Sequence, residues 1–458
     1  MSGRWISERL AAIALRPVAR GDRARAALHL LDWAGCVVAG TVEPGTAEVR
    51  RLAAREGAGP CTVVGGAPAG PQAAALANGP AGAILEMDDV DKRALLHPGP
   101  VVWPAALAVA QAQGLESGAA LLDAGVRGYE AMIRVGRAVG PGHYARFHAT
   151  ATCGGFGAAT AGASLLGLSQ AQMAWALGNA GQQAFGLWRV RHEPVFTKAL
   201  HDGWAAANGV AAALLAADGF AGPLGVFEGE QGFFAGFCPD GDAAWVAADP
   251  DAAWAIHDVS FKPHAACRHG HAVIDAVLAL RARAEGAAPE LIEVASYADA
   301  LTFCDRPEPR SPAQAKFSLQ HAAAVAWRFG DAGLVRFTPE AIAEPATAAL
   351  RARVRVAEDP GASARYPARF GASARVRLAD GREIAVETPD ALGDPERPVG
   401  PEDLKAKARA LMAWGGLDAS ATDRLIAAAL SLAEGGSVPD FAAALPGALP
   451  GAKSGARP

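Results

Sequence analysis

The chain lacks any stretch of about 18 residues that is both apolar and free of charge, so no membrane span is expected. It also lacks a basic run or a basic patch interleaved with aromatics, and its net charge of −5 is spread along the length, which argues against nucleic acid as a partner. The six cysteines (Cys36, Cys61, Cys153, Cys238, Cys267, Cys304) form no Cys-x-x-Cys pair and no disulfide framework, a usage that suits a reducing compartment. The opening MSGRWISERLAAIAL carries Glu8 and has neither the uncharged core nor the small-residue cleavage site of a signal peptide, so a cytoplasmic protein is expected. H-E-x-x-H, P-loop and G-x-S-x-G motifs are missing, as is any Cys-His nucleophile signature. The acidic run from Asp88 to Asp91 falls short of a magnesium-binding motif, because Lys92 stands where the last acid belongs. GGFGAA at Gly154 to Ala159 follows no strand, so it reads as close helix packing or anion-facing backbone rather than a dinucleotide loop. No metal and no cofactor are expected.

What is present is apolar and helical. With 458 residues, 51% of them hydrophobic, the chain can bury a large core and divide into two domains. Segments such as ARAALHLLDWAGCVVAG, GAALLDAGVRGYEAMIRVGRAVG and GWAAANGVAAALLAADGF place apolar residues at helical spacing and end at Gly. Their Ala and Gly let backbones approach closely, as in a multi-helix core or a dimer interface. After about Ser260, ELIEVASYAD, ARVRVAED and ASARVRLADGREIAVET read as strands, the last a hairpin turning at Asp380-Gly381. The expected architecture is mainly α with a smaller α+β domain: helical over 1–258 and 400–445, α/β over 259–399, and a Pro/Gly-rich, disordered tail over 446–458.

The segment EMDDVDKRALLHPGPVVWP, Glu86 to Pro104, crowds acids, two bases and a His between Ala-rich stretches, as the lining of a ligand pocket would. Nine of the eleven histidines fall between His143 and His321, mostly in clusters with cationic or small neighbours: GHYARFHATATCGG, RVRHEPVFTKALHDG and FKPHAACRHGH. A single His in a helical protein is more often a packed structural side chain. Together, however, Lys198, Lys262 and Arg268 can neutralise carboxylates that His residues then serve as acid or base, which points to a small polycarboxylate.

EMDDVDKRALLHPGPVVWPAALA, RFHATATCGGFGAATAGASLLGL, FTKALHDGWAAANGVAAALLA, FKPHAACRHGHAVIDA and SPAQAKFSLQHAAA resemble, in order, the blocks of the MmgE/PrpD family, which includes 2-methylcitrate dehydratase, cis-aconitate decarboxylase and iminodisuccinate epimerase. The resemblance runs from about Asp32 to Ala324. It implies a large all-helical domain built from the N- and C-terminal segments, an inserted α/β domain, a homodimer and a site that uses no cofactor. Carried over block by block, it implies site roles for Asp88, Asp89 and His97, for His148, for Lys198 and His201, and for Lys262 and His271. The chain departs from the pattern where the family's D-F-D-D becomes Glu86-Met87-Asp88-Asp89, where the Thr that follows is Val90, where Cys267 replaces a His of the decarboxylase branch and where His321 replaces a Tyr.

The expected function is a cofactor-independent lyase, of dehydratase or decarboxylase type, moving a proton next to a carboxylate of a small polycarboxylate. Lys198 and Lys262 are expected to clamp charge, His97 and His148 to form the acid/base pair, and Asp88 to orient a His or the substrate. Asp89, His201, Cys267, Arg268, His271 and His321 are expected to contact substrate. The alternatives are an epimerase of an amino-dicarboxylate such as iminodisuccinate, a non-catalytic binding protein and a metal hydrolase.

Overall fold

The computed structural model describes residues 4–193 and 195–447, and it is mainly helical with one small sheet. The disorder expected for the tail falls on residues 448–458, which lie outside the described residues. Two compact units emerge. One takes the chain up to Ile84, Asp88–Val259 and the chain from Gly400; the other takes Leu85–Met87 and Ser260–Val399.

In the first unit the helix Ala149–Leu165 packs between Gly118–Ala138 and Thr197–Ala217, and all of its residues from Ala149 to Ala163 are buried. Its sequence explains how. A Cβ on Gly157 would lie 2.7 Å from the Met132 Cβ and 2.8 Å from the Gly128 carbonyl oxygen, while one on Gly128 would lie 2.9 Å from the Gly157 oxygen. The backbones touch there, so GGFGAA is a packing surface inside a helix. Gly157→Ala should fold but lose roughly 1–3 kcal/mol, because neither the Met132 Cβ nor the Gly128 carbonyl oxygen is the free end of a flexible side chain; a denaturant titration reads the loss. The C-terminal helix Pro401–Trp414 lies along Arg20–Gly40. There Lys407 Nζ is 2.5 Å from Asp32 Oδ1, with both side chains under a tenth exposed, and Trp414 donates to Glu43 at 2.9 Å.

In the second unit four strands are ordered Val354–Glu358, Pro289–Ser296, Ala372–Leu378, Glu383–Thr388. The first pair is parallel and the other two are antiparallel. Alternation drives the assignment: Ile292, Val294, Ala374, Val376 and Leu378 are buried while Glu293, Arg375 and Arg377 face out. The helix His271–Arg283 packs on the Ala372–Leu378 and Glu383–Thr388 strands. The hairpin turns where Asp380-Gly381 was read, with Gly381 at φ +86°. No helix of the described residues is long and apolar enough to cross a membrane.

Candidate active site

Residues 88–97 form a short clamp in the helical unit. Asp91 and Leu96 bridge through paired backbone hydrogen bonds, and the Asp91 carboxylate is held by Arg137 at 2.5 Å and by the Ala94 N–H at 2.7 Å. His97-Pro98-Gly99 opens a helix: Pro98 is the N-cap, and Gly99–Ala112 follows with a further proline in its first turn. The helix start fixes His97 from one side, and Thr150 Oγ1 accepts its N–H at 3.1 Å.

The His97 ring is defined by acceptors. Its Nδ1 is 2.7 Å from Asp88 Oδ2 and 3.1 Å from the Asp89 carbonyl oxygen. Two acceptors at one nitrogen require Nδ1 to carry a proton, so that in the neutral ring Nε2 holds the lone pair. The side chain is 13% exposed, so that lone pair is protected without being sealed off. Asp89 turns the other way. Its carboxylate is 1% exposed and takes three donors, His29 Nδ1 at 2.7 Å, Tyr129 OH at 2.7 Å and the Gly99 N–H at 2.8 Å. Burial pushes it up to about 6. These contacts make Asp89 a support for the clamp.

His148 is the N-cap of the Ala149–Leu165 helix, yet its side chain makes no cap bond. Its N–H is held by Gly186 O at 2.8 Å, while the ring packs 4.6 Å from Trp188 and 6.4 Å from His97. His148 Nδ1 lies 3.2 Å from His201 Nδ1. Burial holds His148 well below its ordinary range, with Lys198 and His201 pushing the same way. Burial and then Lys198 take His201 down to about 4. Both rings are therefore neutral near pH 7, beside the half-buried Lys198 on the helix Thr197–Ala217.

In the α/β unit Lys262 is fully buried with Nζ 3.6 Å from Glu86 Oε2, so the departure at Glu86 supplies this lysine with a carboxylate. Lys316 holds the same short segment through Leu85 O at 3.0 Å. Arg268 forms a buried ion pair with Asp394, which also accepts from Ser260 at 2.5 Å. The Cys267 N–H donates to Lys316 O at 2.9 Å, and its thiol meets that of Cys304. His271 Nε2 faces Ala266 O at 3.1 Å, while His264 pairs with Asp275 at 3.0 Å. His269 turns to Tyr297 at 2.7 Å, so the three histidines of HAACRHGH go to separate partners rather than to one ion. His321 is fully buried, with Nε2 2.8 Å from Arg336 O and Nδ1 3.2 Å from Arg351. That is the contact set of a packing side chain. Among the described residues, ligand-forming atoms gather only at Asp390, Asp394 and Glu396, where Asp394 is already taken by Arg268.

Sequence reasoning passed over His29, Tyr129, Trp188 and Lys316. The one local signal was His29 with Asp32 in the apolar stretch ALHLLDWAG.

Buried neutral histidines set an acid limit on stability. His29, His143, His148, His201, His271 and His321 are all held below the ordinary value by burial, His201 and His321 to about 4. The unfolded chain takes these protons from about pH 6.5 downward and the folded chain does not, so each costs about 1.4 kcal/mol per pH unit over that window. Asp32 and Asp89, raised to about 6, act in the opposite sense below pH 6 but number only two. The melting temperature should hold above about pH 6.5 and fall steadily towards pH 4; a flat profile over that range would contradict the buried neutral assignment.

Comparison with known proteins bears on the whole chain. The family model of the MmgE/PrpD N-terminal domain matches residues 6–246, and that of the MmgE/PrpD C-terminal domain matches residues 264–433. A cis-aconitate decarboxylase-like protein of Aspergillus oryzae is 33% identical over 270 residues, covering 55% of this chain and 56% of that protein. A cis-aconitate decarboxylase of Aspergillus terreus is 30% identical over 290 residues, covering 60% and 58%. The cis-aconitate decarboxylase of Homo sapiens is 28% identical over 366 residues, covering 75% and 74%. The chain thus spans a little over half the length of the two fungal relatives.

Proposed function

The chain belongs to the MmgE/PrpD family, and from that premise we propose that it is a cofactor-independent lyase, of decarboxylase or dehydratase type, that moves a proton at a carbon next to a carboxylate of a small polycarboxylate. The observation that carries the reading is the Asp88–His97 pair, with the proton on Nδ1 and the lone pair on Nε2. A proton leaving the substrate carbon goes to Nε2, and Asp88 stabilises the imidazolium that forms. In a dehydration that imidazolium gives its proton to the leaving hydroxyl, which departs as water; in a decarboxylation no C–H bond is broken first, so the ring takes its proton from solvent and gives it to the carbanion left by loss of CO₂. His148, neutral and 6.4 Å from His97 between ring centres, serves as a hydrogen-bonding partner rather than a standing acid. Lys198 clamps a carboxylate and offsets the enolate charge that develops. Relatives named as cis-aconitate decarboxylases favour decarboxylation, while Val90, Cys267 and His321 depart from the family pattern.

Incubation in D₂O with citrate-like, aconitate-like and amino-dicarboxylic acids, read by NMR, tests this. Decarboxylation yields a product short of one carboxyl with deuterium at the vacated carbon, dehydration yields an alkene, and epimerisation exchanges the α-hydrogen of recovered substrate. Exchange alone would favour an epimerase, and no turnover or exchange with any acid would refute the lyase reading.

We also propose a homodimer. Phe196, Trp204, Leu215 and Phe220, on and beside the helix Thr197–Ala217, are each more than 40% exposed and supply apolar surface of the kind that pairs. A monomer by light scattering at micromolar concentration would contradict it.

A further inference from the structure

The Asp89 carboxylate joins three elements around one point. The helix Arg20–Gly40 supplies His29 Nδ1, the helix Gly118–Ala138 supplies Tyr129 OH, and the helix Gly99–Ala112 supplies the Gly99 N–H, each within 2.8 Å. Tyr129 is fixed in turn by Trp103 Nε1, which donates to its oxygen at 3.0 Å, so the phenol proton is directed at Asp89. The backbone carbonyl of the same Asp89 is the second acceptor at His97 Nδ1. Pinning the carboxylate therefore pins the carbonyl, and Asp88 stands one residue away.

We infer that His29 and Tyr129 are positioning residues for the reaction: through Asp89 they hold the carbonyl and the neighbouring Asp88 carboxylate at the distances that keep the His97 proton on Nδ1 and the reactive lone pair on Nε2. The inference rests on the acid–base role proposed above for His97. The Asp89 carboxylate is fully buried where these helices meet, and a buried carboxylate is tolerated there because three donors meet it.

The charge balance gives the sign of a test. Facing Asp89 are Arg25, His29 and Asp32 from Arg20–Gly40, Tyr129 from Gly118–Ala138, and Asp88 and His97 from its own loop, while Lys407 from Pro401–Trp414 pairs with Asp32. Burial pushes the Asp89 carboxyl up to about 6 against the pull of its Tyr129 and Gly99 donors. Removing the Tyr129 hydroxyl pushes it further up, so the ionised, fully pinned form is reached only at higher pH.

The experiment compares the native chain with Tyr129→Phe, His29→Leu and His29→Asn in two readouts. In kinetics, Tyr129→Phe and His29→Leu should lose roughly 10-fold to 100-fold in kcat, as expected for a displaced catalytic group, with KM nearly unchanged and the acid limb of kcat/KM moved to higher pH. His29→Asn, whose side-chain amide can place an N–H where Nδ1 stood, should recover most of both. In proton NMR, the downfield Nδ1–H resonance of His97, assigned by its loss in His97→Gln, should shift or broaden in Tyr129→Phe and His29→Leu and return in His29→Asn. Unchanged acid limb and resonance in variants that have merely lost melting temperature would overturn the inference, as would His29→Asn behaving like His29→Leu. The resonance needs no substrate. If no acid in the panel turns over, the proposed function fails and the NMR arm still decides this inference.

Discussion

His97→Gln is expected to fold with an unchanged melting temperature and to lose roughly 10²–10⁴-fold in turnover, the range for a positioned acid or base. Gln reproduces the reach of the ring but cannot move a proton at neutral pH. Stability should hold because His97 is partly exposed and its backbone anchors, Thr150 and the helix start at Gly99, do not depend on the ring. His148→Gln provides the contrast: a fully neutral ring packed on Trp188 and His201 should cost stability along with activity. Circular dichroism melts alongside steady-state kinetics separate the two. Native-like turnover in His97→Gln would remove the acid–base assignment entirely.

Lys198→Ala should raise KM and lower kcat together, with a combined loss of roughly 2–4 kcal/mol in kcat/KM for removal of a charge-assisted contact in a closed site. A second, independent signature follows from its neighbours. Lys198 helps to hold His148 and His201 neutral, so its removal should let both rings take protons at higher pH than in the native chain. The acid-side loss of stability should then shrink in Lys198→Ala even as activity falls. Native kinetics in this variant would take Lys198 out of the site.

The sequence was most readable where period and punctuation agreed. The hairpin over Ala372–Leu378 and Glu383–Thr388 alternates cleanly around Asp-Gly, and the Ala/Gly helices carry their period in full. The four-residue strand Ala58–Cys61 escaped notice because its sequence, AGPC, has no β signature; it is defined by bridges to Ala69, a partner that only the tertiary structure supplies. The candidate site divides in the same way. His97, His148 and Lys198 lie in blocks whose polar content stands out from apolar flanks. His29 and Tyr129 stand on two different helices far apart in the chain, and nothing local says that they converge on Asp89. His321, which stands at the family's Tyr position, is buried against Arg336 and Arg351, partners that no local pattern announces.

The 3.2 Å approach of His148 Nδ1 to His201 Nδ1 has one further consequence. A hydrogen bond between two like nitrogens holds a single proton, so the neutral rings must be opposite tautomers: the ring that donates through Nδ1 has a bare Nε2, and the ring that accepts carries its proton on Nε2. The outer edges of the pair therefore present one donor and one acceptor, never two of a kind, and reversing the pair requires both rings to change together. A ligand that demands a proton from one edge dictates the state of the other, so the two histidines behave as one two-position switch rather than as two independent side chains.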